Sequence, residues 1–249
     1  MRFYLVDAFA QSAFTGNSAG VVLLEAPAEP EWMQSVAAEF KHAETAFVEI
    51  GGDGALPLRW FTPRTEVDLC GHATLATAHV LGGDRIFSTR SGELRCMAED
   101  GWVSMDFPID VPVEAAVDVG IDGARFVARG STDILIVLSD AAEVRGMKPD
   151  FAALAQLDAR CVIVTAPGDV EGIDFVSRVF GPRVGVDEDP VTGSAHCTLA
   201  PYWAERLGST KLVGEQASAR GGIVKVSVEG ERVHLGGQAV TVASGELHV

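Results

Sequence analysis

The sequence has few cysteines, and none of them lies close to another. Cys70, Cys96, Cys161 and Cys197 are widely spaced, so the chain lacks the paired cysteines of disulfide-stapled domains and of common zinc sites. Reduced thiols and a cytoplasmic location are therefore expected. The apolar segment of a secretory signal is also lacking, because residues 1–7 already have the composition of a strand.

Positive charge is scarce and nowhere concentrated. The chain has 19 lysines and arginines against 35 aspartates and glutamates, which gives a net charge of −16 at pH 7. Without a basic run, nucleic acids and anionic membrane surfaces are not expected partners. No apolar stretch approaches the roughly 20 residues that a membrane-spanning helix requires. A small molecule is the expected partner.

What the sequence does contain is a repeat. Residues 59–68 and 178–187, which start 119 residues apart, agree at six of ten positions. Each copy leads to a glycine, Gly71 or Gly193, that opens a stretch of small residues with helical character. The 249 residues are 47% hydrophobic, which is enough for two cores. The repeat therefore predicts two related lobes.

The fold class predicted from this pattern is α+β, because strand-like hairpins flank one small-residue helix in each half. The predicted boundary assigns residues 1–110 to an N-terminal lobe and 111–249 to a C-terminal lobe, and the last strand is a candidate to return to the N-terminal lobe. A small-molecule site is expected between the two lobes.

The two halves differ at a carboxylate. Glu44 follows a predicted helix and precedes a predicted strand, and the matching stretch from Arg160 to Ile163 has no acidic residue. Apolar surroundings raise the pKa of a carboxyl group and suit it to proton transfer near neutral pH. The plainer interpretation is a surface glutamate at a strand end, which is the commoner case.

Each predicted helix start carries its own polar residue. In the first half His72 follows the glycine and can donate a hydrogen bond or a proton, although a lone histidine is more often structural. In the second half Asp189 precedes the turn and Ser194 follows the glycine, where the N–H groups of a helix start can hold an anion. Ordinary capping by Thr192 or Asp189 explains the same pattern without a ligand.

Several motifs resemble those of the PhzF family, the phenazine-biosynthesis isomerase and its relatives, which share the diaminopimelate epimerase fold. These motifs cover nearly the whole chain: Val6–Phe9 with Phe14–Asn17, Glu44–Phe47, Phe61–Pro63 with Glu66–Ala76, and Glu188–Ala195. The resemblance implies two pseudo-repeated lobes, each a curved, mostly antiparallel sheet or half-barrel around a central helix. It also implies a homodimer and an isomerase that needs no cofactor.

The resemblance implies a site as well. It assigns the catalytic roles of the family, a general acid/base glutamate and a substrate-binding histidine and aspartate, to Glu44, His72 and Asp189. Its contacts to substrate through backbone and hydroxyl groups fall on Gly71, Gly193 and Ser194. Two positions depart from the family pattern. His42-Ala43 stands where a Ser or Asn usually precedes the Glu-Thr pair, and Ser18 replaces the proline of a Gly-Asn-Pro turn.

Three alternatives stay open. An amino-acid racemase or epimerase of the related fold uses two cysteines, one from each half, as opposed acid and base. Cys70 stands at the first position, but Thr192 stands where the second thiol is needed, which favours Cys70 as a small core residue. A metal site formed by Cys70, His72, His196 and Cys197 has poor ligand spacing, so no metal is expected. A non-catalytic small-molecule binding protein is the third alternative.

The sequence thus predicts a cofactor-independent isomerase that moves a proton within a small carboxylate-bearing metabolite. Glu44 is the predicted proton shuttle, and His72 and Asp189 are predicted to orient the substrate. Neither the identity of the substrate nor a link to phenazine synthesis is predicted.

Overall fold

The structure, a computed structural model, describes residues 1–52 and 54–248. The chain forms two compact units: unit 1 comprises Met1–Asp106 together with the chain from Gly236 onward, and unit 2 comprises Phe107–Leu235. The lobe boundary expected at residue 110 stays a prediction. No helix within the described residues has the length and the apolar character that crossing a membrane requires.

Strands outnumber helices along the described chain, and each helix lies between groups of strands. The first ten elements are β1 (Arg2–Ala8), β2 (Asn17–Leu24), α1 (Pro30–Phe40), β3 (Glu44–Glu49), β4 (Leu56–Phe61), β5 (Glu66–Val67), α2 (Gly71–Leu81), β6 (Gly83–Thr89), β7 (Gly92–Glu99) and β8 (Trp102–Pro108). They are followed by β9 (Val113–Glu114), β10 (Phe126–Arg129), β11 (Ile134–Val137), α3 (Ala141–Gly146), α4 (Phe151–Leu154), β12 (Val162–Pro167), β13 (Phe175–Gly181), a 3-10 turn (Pro182–Val184), β14 (Val186–Asp189), α5 (Gly193–Leu207), β15 (Lys211–Gln216), β16 (Gly222–Glu229) and β17 (Arg232–Glu246).

The two units pair their strands in the same order. In unit 1, β2 runs parallel to β3, β3 antiparallel to β4, and β4 antiparallel to β5 and parallel to β6, which pairs antiparallel with β7. In unit 2 the strands β11, β12, β13, β14, β15 and β16 repeat this pattern step by step. Helices interrupt both patterns at the same two places. The structure therefore confirms an α+β fold with two repeated, mostly antiparallel lobes.

Strand register shows which residues correspond between the units. The residue that pairs with Phe61 directly follows Glu44, and the residue that pairs with the matching Phe180 directly follows Cys161. A cysteine therefore stands in unit 2 where unit 1 has its carboxylate.

The register also corrects part of the sequence repeat. Trp60 pairs with Val67, whereas the matching Val179 pairs with Asp189, so these partners lie 122 residues apart rather than 119. The difference arises because a 3-10 turn precedes β14 and lengthens the second copy. The sequence match of Val67 with Val186 is therefore wrong in structural terms, although both copies have a valine there.

Both copies of the repeat build the same ion pair. In each, an arginine donates two hydrogen bonds to one glutamate and lies over a phenylalanine ring: Arg59, Glu66 and Phe61 in unit 1, and Arg178, Glu188 and Phe180 in unit 2. These matched residues hold the sheet edge together in both units, so they are scaffold rather than chemistry.

A buried helix lies at the centre of unit 1. Every side chain of α2 from His72 to Ala78 is buried, and the helix contacts β1, β2, β3 and β7. A helix whose side chains are mostly small and apolar is expected in such a position. Its small side chains allow the sheet to approach closely, most of all at Gly237, where an added Cβ would overlap the ring of Phe9 and come within 2.8 Å of Leu75 Cδ1.

We expect Gly237→Ala to destabilise the protein. The added methyl group must displace either Phe9 or Leu75 from a closely packed interior, which costs about 1–3 kcal/mol of unfolding free energy. Urea denaturation measures this change. Gly146→Ala is the matched control, because nothing lies within 4 Å of a Cβ added there. Equal stability of the two variants would contradict the packing described.

Candidate active site

Two of the predicted site residues meet in unit 1. Glu44 is the first residue of β3, placed there because α1 ends at Phe40 and Lys41 turns the chain with a left-handed φ of 58°. His72 is the second residue of α2. Its Nε2 lies 3.2 Å from Glu44 Oε2, and the Glu44 side chain remains 20% exposed. Glu44 can therefore contact both the imidazole and a ligand.

The imidazole of His72 is neutral at physiological pH. Burial lowers the pKa of His72 to about 3, so its contact with Glu44 joins a neutral ring to a carboxylate rather than two opposite charges. Asn17 Nδ2 lies 3.3 Å and Cys70 Sγ 3.5 Å from His72 Nδ1. The amide nitrogen of Asn17 can only donate, so Nδ1 acts as the acceptor and the ring proton is on Nε2, which makes no hydrogen bond within the described residues.

Sequence reasoning gave Asn17 no role. The residue stands in a recognised motif, but its contact with His72 spans 55 positions of the chain. The sequence does carry a signal for this contact, namely an asparagine at the start of a mostly apolar strand. A buried asparagine in such a position must find a polar partner.

Cys70 occupies the residue before α2. It has an extended backbone, and its side chain does not cap the helix. Cys70, Glu44 and His72 each offer a ligand atom, and within the described residues these atoms lie within 4.8 Å of one another. A thiol, an imidazole and a carboxylate are ligands that zinc accepts. This set differs from the four residues considered from sequence, and the expectation of no metal stays a prediction.

Asp189 lies at the end of β14 in unit 2, where a buried glutamine fixes the loop that follows. Gln216 donates from Nε2 to the carbonyl of Asp189 at 2.7 Å and accepts from the N–H of Thr192 at 2.8 Å. The hydroxyl of Thr192 donates to Asp189 Oδ2. Gln216 is a second residue that sequence reasoning missed, because its partners lie more than 20 positions away.

The side chain of Thr192 does not cap the second helix, and capping by Asp189 stays a prediction. Thr192 precedes α5, but its side chain makes no capping hydrogen bond to the helix, because the hydroxyl is used by Asp189. Helix starts without a cap leave N–H groups that can bind an anion. Gly193 and Ser194 begin α5, so these two predicted residues lie beside Asp189, as the sequence order requires.

Unit 2 offers no second thiol suited to acid/base work. The position before α5 that corresponds to Cys70 is Thr192. Burial raises the pKa of the Cys161 and Cys197 thiols to about 12, which keeps both protonated at neutral pH.

Comparisons with known proteins agree with this architecture. The sequence profile of the family described as "Phenazine biosynthesis-like protein" (PhzC-PhzF) matches residues 6–245. An "Uncharacterized isomerase" from Pseudomonas aeruginosa is 50% identical over 261 residues, which is 100% of this chain and 99% of that protein. The crystal structure of a PhzF-family phenazine biosynthesis protein from Enterococcus faecalis is 40% identical in sequence and has a TM-score of 0.94. The match covers 100% of this chain and 99% of that chain.

A more distant structure shares the fold alone. A hydroxyproline epimerase from Agrobacterium vitis, solved with bound trans-4-hydroxy-L-proline, is 11% identical and has a TM-score of 0.63, with 98% of this chain and 91% of that chain covered. The predicted fold class is therefore confirmed by likeness to epimerase structures as well as by strand pairing.

We expect the burial of His72 to make the folded protein sensitive to acid. Between its unfolded pKa near 6.5 and its folded pKa of about 3, the unfolded chain binds a proton that the folded chain does not. Stability attributable to His72 therefore falls as the pH falls, by about 1.4 kcal/mol per pH unit. Urea denaturation between pH 7 and pH 4 should show a shallower decline for His72→Gln. An unchanged pH dependence would contradict a neutral buried imidazole.

Proposed function

This chain belongs to the phenazine biosynthesis-like (PhzC-PhzF) family, and on that premise we propose that it moves a proton within a small carboxylate-bearing metabolite without a cofactor. Three bacterial relatives that are 46–50% identical are named isomerases, and the chain is an isomerase. The proton shift, the acid/base residue and the carboxylate substrate are the proposal.

The contact between Glu44 and His72 carries the proposal. The Glu44 carboxylate lies 3.2 Å from Nε2 of a buried, neutral imidazole, and its exposed part remains able to reach a substrate. Glu44 takes a proton from one atom of the substrate and returns it to another, so the reaction is balanced without any other reactant. His72 orients Glu44, and Asn17 and Cys70 orient His72.

Each helix start is proposed to bind an anionic group of a ligand. Gly71 begins α2 and Gly193 and Ser194 begin α5, and the side chains of Cys70 and Thr192, which directly precede the two helices, make no capping hydrogen bond. The N–H groups of a helix start favour the carboxylate of a ligand. Asp189 accepts a hydrogen bond from a hydroxyl or amino group of the substrate. The sequence-based assignment of these four residues stays a prediction that this chemistry supports.

Glu44→Gln should abolish proton transfer. The amide keeps the shape of the side chain but cannot take up a proton, and general acid/base catalysis contributes roughly 10²–10⁴-fold in rate. Incorporation of solvent deuterium, measured by mass spectrometry over a panel of small cyclic carboxylic acids, should be lost in this variant. Glu49→Gln, at the other end of the same strand, is the matched control and should behave as the unmodified enzyme. Full exchange by Glu44→Gln would overturn the assignment.

The racemase alternative has one observation in its favour, the position of Cys70 beside His72. It requires a thiol in each half, and unit 2 has Thr192 at the matching position. Cys70 is better explained as a hydrogen-bond donor to the imidazole.

Cys70→Ser tests this alternative. Serine keeps a donor beside His72 Nδ1, so deuterium exchange should stay within about tenfold of the original rate if Glu44 is the base. A thiol base predicts the reverse pattern: exchange is abolished in Cys70→Ser and survives in Glu44→Gln. A non-catalytic binding protein predicts no exchange with any acid, even where binding is measurable.

Other expectations stay predictions. The homodimer and the cytoplasmic location come from the family resemblance and from cysteine usage. Size-exclusion chromatography with light scattering measures the first, and metal analysis of the purified protein measures whether Glu44, Cys70 and His72 retain a cation.

A further inference from the structure

Unit 2 contains a buried ion pair whose residues have no counterpart in unit 1. Asp133 directly precedes β11 and is 2% exposed, and it accepts hydrogen bonds from Arg160 through both carboxylate oxygens. Asp133 also accepts from the N–H of Cys161 at 3.2 Å. Strand register places Ala19 and Ala43 at the corresponding positions of unit 1.

The fold does not need this ion pair. Two alanines serve the same positions in unit 1, and a buried ion pair is often no more stabilising than apolar residues of similar volume. Burying a charge carries a desolvation cost, so the pair is better explained by what Arg160 does with the rest of its guanidinium group.

Arg160 makes one further hydrogen bond beyond the pair with Asp133. Its Nη2 donates to Ser194 Oγ at 3.0 Å, at the first turn of α5. Because that oxygen already accepts from a guanidinium, the Ser194 O–H is turned to donate elsewhere. Neither the Ser194 O–H nor Arg160 Nη1 has a partner in the described part of the chain, and the Arg160 side chain is 39% exposed.

The Ser194 O–H and Arg160 Nη1 indicate which kind of ligand can bind here. A planar guanidinium edge next to a hydroxyl suits an anion with two coplanar oxygens, which is a carboxylate. The positive charge of Arg160 is opposed by Asp133 and by Asp189, both of which interact with it electrostatically. These two carboxylates disfavour a phosphate dianion, so a ligand here is held mainly by hydrogen bonds from Arg160 Nη1 and the Ser194 hydroxyl.

We propose that Arg160, fixed by Asp133, is the residue of unit 2 that recognises the carboxylate of the substrate, together with the hydroxyl of Ser194. This proposal deepens the proposed function and rests on it for the reaction. Recognition of a carboxylate is nevertheless a binding property, and it is measurable without turnover.

Acetate is the probe, since it is small enough to reach any carboxylate site. Titration of the isotope-labelled, full-length protein should give saturating NMR shifts at the Arg160 Nε–H and at the Gly193 and Ser194 amides. Acetamide and chloride, at matched ionic strength, should give none. We expect Arg160→Lys to weaken acetate binding at least tenfold, because a lysine cannot hold Asp133 and the ligand together. Linear shifts with acetate in the unmodified protein, or unchanged binding in Arg160→Lys, would overturn the proposal.

A second variant guards against misfolding. Replacing Arg160 alone with a neutral residue leaves the Asp133 charge buried, so the double variant Arg160→Gln/Asp133→Asn removes both charges and keeps an amide pair. It should melt near the unmodified protein and fail to bind acetate. Arg183→Gln, which removes an arginine paired with an exposed aspartate, is the matched control and should bind acetate normally.

Turnover separates this proposal from the proposed function. With a carboxylic acid substrate that exchanges deuterium, Arg160→Lys should raise KM at least tenfold while kcat changes much less. With the amide of the same acid as substrate, Arg160→Lys should leave KM unchanged. Glu44→Gln should bind acetate normally and fail to exchange deuterium. Acetate binding without any exchange would contradict the isomerisation and leave carboxylate recognition supported. Exchange with unchanged KM in Arg160→Lys would contradict carboxylate recognition alone.

Discussion

Burial of a helix start is the constraint on which the rest of the structure depends. In unit 1, the side chains of α2 from His72 to Ala78 are buried, and Cys70 before the helix makes no side-chain cap. The buried polar groups at this helix start must therefore find partners among themselves. His72 contacts Asn17, Cys70 and Glu44 there, and the same burial keeps the imidazole neutral.

The two units use one scaffold for different chemistry. The two units share the ion pair over an aromatic ring, the strand order and the central helix. They differ at three corresponding positions, which hold Glu44, His72 and Ala43 in unit 1 and Cys161, Ser194 and Arg160 in unit 2. We assign proton transfer to unit 1 and anion binding to unit 2 as separate proposals.

The repeat made the fold predictable from sequence, because Arg59, Phe61 and Arg178 are constrained by the same packing in both copies. Its exact register was not predictable, since the 3-10 turn before β14 shifts Asp189 by three positions without disturbing the flanking valines. Glu44 and His72 emerged from the resemblance and from their difference between halves. Asn17, Gln216 and Asp133 did not, because each acts through partners that only the folded chain brings near.

The return of β17 to unit 1 has a consequence for the order of folding. β1 pairs along its whole length with β17, from Arg2 opposite Glu246 to Ala8 opposite Ala239, whereas unit 2 is a single continuous stretch of chain. Closing this pair joins residues up to 244 positions apart, whereas unit 2 closes its sheet within one stretch of 129 residues. Contacts between residues so distant in sequence carry a larger loop-closure entropy and form more slowly. Unit 2 can therefore complete its sheet before unit 1, which carries Glu44.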